Sequence, residues 1–188
     1  MDVELRTSRL LLRQPYLGDA PRIARFFNNF RVTGNLARVP YPYSETDALA
    51  WLRTWRPDQP PGETGFSLDL ADEGIIGHCG FHRTEAGPAI GYWLAEPFWN
   101  RGFMTEALRA VVAWYFEVTN EPSIASGVFA FNKASLMVQR KVGFTETGES
   151  RMHCLARKQE VRHIDTELTR VRWAETSGRA PDAARSVA

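Results

Sequence analysis

Hydrophobic positions along this chain recur with two periods, and the switches between them mark its elements. Arg9-Leu10-Leu11-Leu12-Arg13 is an apolar run stopped by Pro15, the pattern of a first strand. Asp19, with Pro21 just behind it, predicts a helix N-terminus that turns Ile23, Ala24, Phe26 and Phe27 inward. Residues 31–43 carry Gly34, Pro40, Pro42 and two tyrosines without any period, and read as a loop that edges a cleft or simply connects. Ser44 with Asp47 three residues on predicts a second helix, with apolar rows at Leu49, Leu52, Trp51 and Trp55, ended by the segment Pro57–Gly62.

Phe66–Leu70 alternates with period two. Asp72-Glu73-Gly74 turns it into Ile75–Phe81, and Glu85–Pro88 turns again into Ile90–Ala95, so an antiparallel meander is expected. Ala107, Leu108, Val111, Val112 and Tyr115 share one face of a third helix ending near Asn120. Ile124–Phe131 reads as a strand, Asn132 as the N-cap of a helix through Lys141, and Gly143 as its C-terminal glycine. The ranges 145–157 and 161–173 read as a closing hairpin, and a frayed tail is expected from Thr176. The order is β-α-α-β-β-β-α-β-α-β-β, a single domain over 1–175.

Between the meander and the third helix lies Trp99-Asn100-Arg101-Gly102-Phe103-Met104-Thr105-Glu106. A helix start offers unpaired N–H groups and the positive end of the macrodipole, which suit an anion. Gly102 lets a ligand approach the main chain, and Arg101 adds charge suited to phosphate. No G-K-[ST] follows and the G-x-G-x-x-G spacing fails, so a phosphate cradle of another kind stands beside a plain structural turn.

Composition adds little. The net charge of +1, from 23 basic and 22 acidic side chains, gives no global pull toward nucleic acid or acidic membrane. No apolar run has the length of a membrane span, Met1-Asp2-Val3-Glu4 does not open a signal peptide, and Cys79 and Cys154 stand far apart. A cytoplasmic protein is expected. The pairs His78-Cys79 and His153-Cys154 lack metal-ligand spacing and alternate faces on their strands, so no metal is assigned.

Three segments resemble the GCN5-related N-acetyltransferase (GNAT) superfamily, most closely its branch that acetylates ribosomal-protein N-termini. They are Thr7–Arg13; Gly91-Tyr92-Trp93-Leu94 with Trp99–Ala107; and Asn132-Lys133-Ala134-Ser135 with Lys141-Val142-Gly143-Phe144. Departures are Trp99, where Gln or Arg is usual, and Met104, where the family has a small residue. The resemblance implies an α/β fold whose mixed, mostly antiparallel sheet is flanked by about four helices and splays between the strand at 92–95 and the strand at 124–131. Acetyl-CoA would lie in the split. Main chain of Trp93, Leu94 and Ala95 would pair with pantetheine, the segment Trp99, Asn100, Arg101, Gly102, Phe103, Met104, Thr105 would hold the pyrophosphate, and the Asn132 side chain would bond the pantetheine. Arg140 and Lys141 would reach the 3′-phosphate or complement a helix end.

Acetyl transfer needs a deprotonated amine, a donor for the developing oxyanion and a good leaving thiolate. An α-amine with a pKa near ~8 is an easier acceptor than a lysine near ~10. The expected oxyanion donor is a main-chain N–H near Leu94. Ser135, one helical turn past Asn132, is the candidate acid. No glutamate falls at a matching place, since Ala89 precedes Ile90-Gly91-Tyr92, and among the histidines His153 is the first choice of base, with water as a relay. The acceptor is a protein N-terminus first, then a small polyamine, amino acid or antibiotic amine. A non-catalytic acyl-CoA-binding module is the rival from another class, and a homodimer that completes the acceptor cleft is compatible with either.

Overall fold

A computed structural model describes residues 3–178. Eight strands form one sheet in the order β1-β2-β3-β4-β5-β6-β8-β7. They are β1 (Leu5–Arg6), β2 (Leu10–Arg13), β3 (Gly65–Leu70), β4 (Gly74–Thr84), β5 (Gly87–Leu94), β6 (Ser123–Phe129), β7 (Thr145–Cys154) and β8 (Gln159–Thr169). Six α-helices accompany them: α1 (Ala20–Phe27), α2 (Phe30–Thr33), α3 (Glu45–Leu52), α4 (Phe103–Val118), α5 (Lys133–Val142) and α6 (Arg170–Ser177). The expected meander is β3, β4 and β5, and every neighbouring pair is antiparallel except β5 with β6.

Strand alternation sorts the faces. One face of β4 and β5 turns Trp93 onto Phe26 and Phe27 of α1, and His78 onto Trp51 and Trp55. The other face turns Phe66 and Phe81 onto Trp114 and Tyr115 of α4, with Phe81 and Tyr115 stacked at 4.1 Å. The main core lies between these layers, and the α4 face of Ala107, Leu108, Val111, Val112 and Tyr115 is fully buried within it.

Local signals did what their chemistry predicts at Ser44, whose side chain exchanges bonds with Asp47 in a capping box, and at Gly143, which ends α5 at φ +114°. Asp19 is a correction. It precedes α1 but makes no cap bond to that helix; its carboxylate is buried and held by both Nη atoms of Arg13 at 2.7 and 2.9 Å, by the Ser67 hydroxyl at 3.1 Å and by the Tyr16 amide, which opens the single 3-10 turn over 17–19. Arg13 also bonds Asp69. The loop expected over 31–43 contains the short helix α2, whose cap Asn29 accepts from the Arg31 amide.

The second hairpin strand ends at Thr169 rather than Trp173. Thr169 caps α6 through its hydroxyl, and the Arg170 guanidinium donates to the carbonyl of Phe116 in the last turn of α4 and to those of Thr119 and Glu121 just past it. The tail expected from Thr176 starts inside α6, and residues 179–188 lie outside the described residues.

Candidate active site

Strands β5 and β6 share a single register pair, Ala89 with Ala125, and then part. The Ala95 amide donates to the Ile76 carbonyl of β4 at 2.9 Å. In an antiparallel pair the bonded positions alternate, so Gly91, Trp93 and Ala95 spend their main-chain groups on β4, whereas Tyr92 and Leu94 turn theirs away from β4, toward β6. This narrows the expected pantetheine set. Ala95 is already occupied, Trp93 is engaged with β4 and has its indole in the core, and Leu94 alone of the three presents an N–H to the split. The Leu94 carbonyl accepts from the Trp99 indole at 2.7 Å, so Trp99 fastens the loop to the strand it follows.

The same reasoning applies to β6. The Ala130 amide bonds the Arg162 carbonyl of β8, so Ala125, Gly127 and Phe129 turn their main-chain groups toward β5. Two strand edges therefore face each other with their N–H groups open. At the closed end the seam is riveted by side chains: the Thr166 hydroxyl donates to Gln139 Oε1, Gln139 Nε2 to the Ser126 hydroxyl, and that hydroxyl to the Ile90 carbonyl, at 2.8, 2.9 and 2.8 Å.

Beside the split, the loop from β5 to α4 is shaped by two left-handed residues, Asn100 at φ +59° and Gly102 at φ +81°. The first intrahelical bond of α4 runs from the Glu106 amide to the Gly102 carbonyl, and among the described residues no amide from Asn100 to Thr105 has a protein partner. Asn100, Arg101 and Gly102 are exposed, while the side chains of Phe103 and Met104 are buried beneath them. The bulk of Met104 therefore goes into the core and leaves its amide clear. The Arg101 guanidinium lies over Phe103, 5.0 Å from the ring centre.

Glu106 steadies this loop from below, accepting bonds from the Thr7 and Ser8 hydroxyls and from the amide and guanidinium of Arg9, which also reaches the Arg101 carbonyl. Burial alone would raise the Glu106 pKa, but the bonds from Thr7, Arg9 and Ser8 outweigh it and hold the carboxyl below its ordinary 4.5. A lowered acid pKa contributes stability that is present above pH 4.5 and is lost as pH falls through the folded-state value. Glu106→Gln is therefore expected to cost about 1–2 kcal/mol at neutral pH. Urea titrations should show the gap between variant and wild type closing in acid; a gap independent of pH would remove the charge from the explanation.

A groove of about 450 Å³ opens alongside, lined by Thr7, Gly102, Thr105, Glu106, Arg109 and Lys141. Arg140 is not among them. Its guanidinium pairs with Glu146, so Lys141 is the α5 cation turned toward the loop, and the Arg109 guanidinium bonds the Lys141 carbonyl.

Asn132 Oδ1 accepts from the Ser135 amide at 3.1 Å, the cap read from the sequence, and this leaves the Asn132 amide nitrogen unspent. The Ser135 hydroxyl lies 2.7 Å from the Tyr92 hydroxyl, which reaches across from β5. Burial pushes the Tyr92 pKa up to about 12 against the opposing effect of its bonds to Ser135 and Gln139, so the phenol stays protonated. Tyr92 escaped sequence reasoning, although the β5 alternation that buries Trp93 on one face sends Tyr92 to the other.

His153 does not join this group. It sits on β7, two strands beyond β6, half exposed and 3.3 Å from Glu160, while its neighbour Cys154 turns to the opposite face against the Leu36 carbonyl. His78 is sealed in its tryptophan box, where burial lowers its pKa to about 3. A further histidine, His163, is buried on β8 with Nδ1 at 2.8 Å from Asp165. Among the described residues no three His, Cys, Asp or Glu side chains gather as a metal site, and no helix is long and apolar enough to cross a membrane.

Comparison with known proteins agrees with this geometry. Residues 9–145 match the family model described as an acetyltransferase (GNAT) domain. The chain belongs to the GNAT family of acetyltransferases, and it is an N-acetyltransferase that takes its acetyl group from acetyl-CoA. An N-acetyltransferase of Bacillus subtilis named YoaA, itself described as uncharacterized, is 29% identical over 158 residues, covering 79% of this chain and 86% of its own. Two solved structures share the fold. The ribosomal-protein-S5-alanine acetyltransferase of Vibrio fischeri superposes with TM-score 0.73 at 20% identity, over 89% of this chain and 97% of that one. Mycobacterium smegmatis RimJ in complex with CoA-disulfide does so with TM-score 0.72 at 20% identity, over 95% and 94%.

Proposed function

We propose that the chain transfers acetyl from acetyl-CoA directly to the α-amino group of a protein N-terminus, both substrates being bound at once. The observation that carries the donor half is the pair of facing strand edges, open beside a run of unpaired amides. Unpaired amides at a helix start are met by water or by a ligand, and an anion suits them best. A slender ligand with its own amides, ending in a diphosphate, matches both features. In this reading the amides of Asn100–Thr105 bind the pyrophosphate, with Arg101 screening it. The Leu94 N–H and the Asn132 amide nitrogen hold pantetheine, and Arg109 and Lys141 accept the outer phosphate.

In this reading the Tyr92–Ser135 pair, joined across the split, meets the leaving sulfur. A phenol near pKa 12 cannot readily give its proton to a thiolate near ~8.5, a transfer uphill by about 1.4 kcal/mol per unit. The pair therefore stabilises the thiolate by hydrogen bonding, and solvent completes the protonation. Ser135→Ala is expected to remove one such bond, about 1.5 kcal/mol, lowering kcat about ten-fold while acetyl-CoA affinity holds. Unchanged kcat would take Ser135 out of the chemistry.

An N-terminal amine is favoured over lysine because more of it is unprotonated at neutral pH, and the two structures that share this fold, a ribosomal-protein-S5-alanine acetyltransferase and a RimJ, support that choice. Thiol release measured over Ala- and Ser-initiating peptides, lysine peptides, polyamines and aminoglycosides tests the acceptor. Turnover confined to the small amines would overturn the N-terminal reading and leave the donor site standing.

A further inference from the structure

We propose that His163, oriented by Asp165, is the general base that takes the proton from the acceptor amine. The inference rests on the acetyl-transfer reading above and supplies the part that reading lacks. His163 lies on β8 directly opposite Phe129 of β6 and Ser150 of β7. Its ring meets Phe129 edge-on at 6.1 Å. Nδ1 is 2.8 Å from Asp165 Oδ1 and 3.4 Å from the Ser150 hydroxyl, which itself donates to Asp165 Oδ1 at 2.9 Å. A carboxylate accepts only, so the tautomer with hydrogen on Nδ1 is selected, and the lone pair is left on Nε2. Nε2 has no protein partner among the described residues.

The position of that lone pair is set by a glycine. A Cβ on Gly127 would fall 2.1 Å from His163 Cε1 and 2.8 Å from Nε2. The ring therefore fills the space that a side chain at Gly127 would take, on the strand edge that faces the split. Alternation puts His163, Phe129 and Cys154 on the face covered by α1 and by the loop after α2, because Cys154 packs on the Leu36 carbonyl there. Tyr92 and Ser135 meet on the opposite face, over α5. The split thus has a proton acceptor on one side and a thiolate-stabilising pair on the other. Glu149, Arg151, Glu160 and Arg162 alternate onto the far face of the hairpin, so Asp165 is the charged group bonded to the ring.

In the step, the amine nitrogen forms its bond to the acetyl carbonyl carbon and the carbon–sulfur bond breaks, its electron pair leaving on sulfur. The nitrogen's surplus proton passes to Nε2, directly or through one water, and then to solvent, while the thiolate takes a proton from solvent. The atoms and charge balance without a further reactant.

The test uses the full chain, acetyl-CoA and whichever amine of the panel above turns over best. His163→Ala should lower kcat about 100-fold with acetyl-CoA affinity by calorimetry unchanged, and added imidazole should restore turnover about ten-fold by entering the vacated space. His163→Asn, which can still donate to Asp165, should be as slow as His163→Ala, and His153→Ala should match wild type. Wild-type kcat in either His163 variant overturns the proposal. So does a His163→Ala protein that loses turnover together with acetyl-CoA affinity and gains nothing from imidazole, since that assigns the ring to packing. A wild-type chain that acetylates no amine in the panel sinks the acetyl-transfer reading, and the base with it.

Discussion

Gly102→Trp is expected to destroy acetyl-CoA binding in a protein that remains folded. Gly102 sits at φ +81°, exposed, with nothing nearer to a built Cβ than the Arg9 guanidinium at 3.5 Å. The left-handed conformation costs a side chain about 1–2 kcal/mol, a shift of a few degrees in Tm for a chain of this size. The indole has no core to enter and must lie across the amides of the loop. Losing two charge-assisted bonds to phosphate, at about 1.5–3 kcal/mol each, lowers affinity by about 10²–10⁴-fold. Calorimetry on acetyl-CoA reads the affinity and a thermal melt reads the fold. Wild-type affinity would refute the assignment of the loop, whatever became of the acceptor.

Arg13→Met is expected to give the largest loss of stability. Arg13 joins the first long strand to the start of α1 and to β3, holding Asp19, which is 3% exposed, and Asp69. Removing the cation leaves a buried carboxylate with only the Ser67 hydroxyl and the Tyr16 amide, and uncompensated buried charge costs about 3–5 kcal/mol. For a chain of this length that lowers Tm by roughly 10 °C. The double variant Arg13→Met, Asp19→Leu should recover part of the loss, because it removes the stranded charge along with its partner. A drop no larger than that of an exposed arginine such as Arg53 would show that the network contributes little.

What the sequence made legible was local. Ser44 with Asp47, Asn132 with the helix behind it, and Gly143 each act within a few residues, so their chemistry can be read in order along the chain. The loop before α4 belongs here too, since an unpaired helix start is a property of the helix itself. What stayed hidden depends on distant partners. Asp19 looks like a cap until Arg13 and Ser67 are brought beside it, and Arg170 looks like strand until the end of α4 arrives 54 positions away. Which of Trp93, Leu94 and Ala95 faces the split follows from the phase of pairing with β4, which no single-strand pattern contains. The setting of each histidine was hidden in the same way, because the pairing of β8 with β6 decides that the His163 ring lies over Gly127 while His153 on β7 is half exposed.

A sheet whose two halves share a single ladder rung is, mechanically, two plates on a hinge. The plates are β1–β5 and β6–β8, each with its own helices, and the hinge is the Ala89–Ala125 pair with its hydroxyl–amide rivet. The hinge is also latched away from its rung, by bonds from Leu155 to Ala37, Arg157 to Gly34, Tyr92 to Ser135 and Arg170 to the end of α4, so the mouth is held at a set width. A long, thin thread laid along that fixed mouth would meet both edges over its whole length without prying them apart.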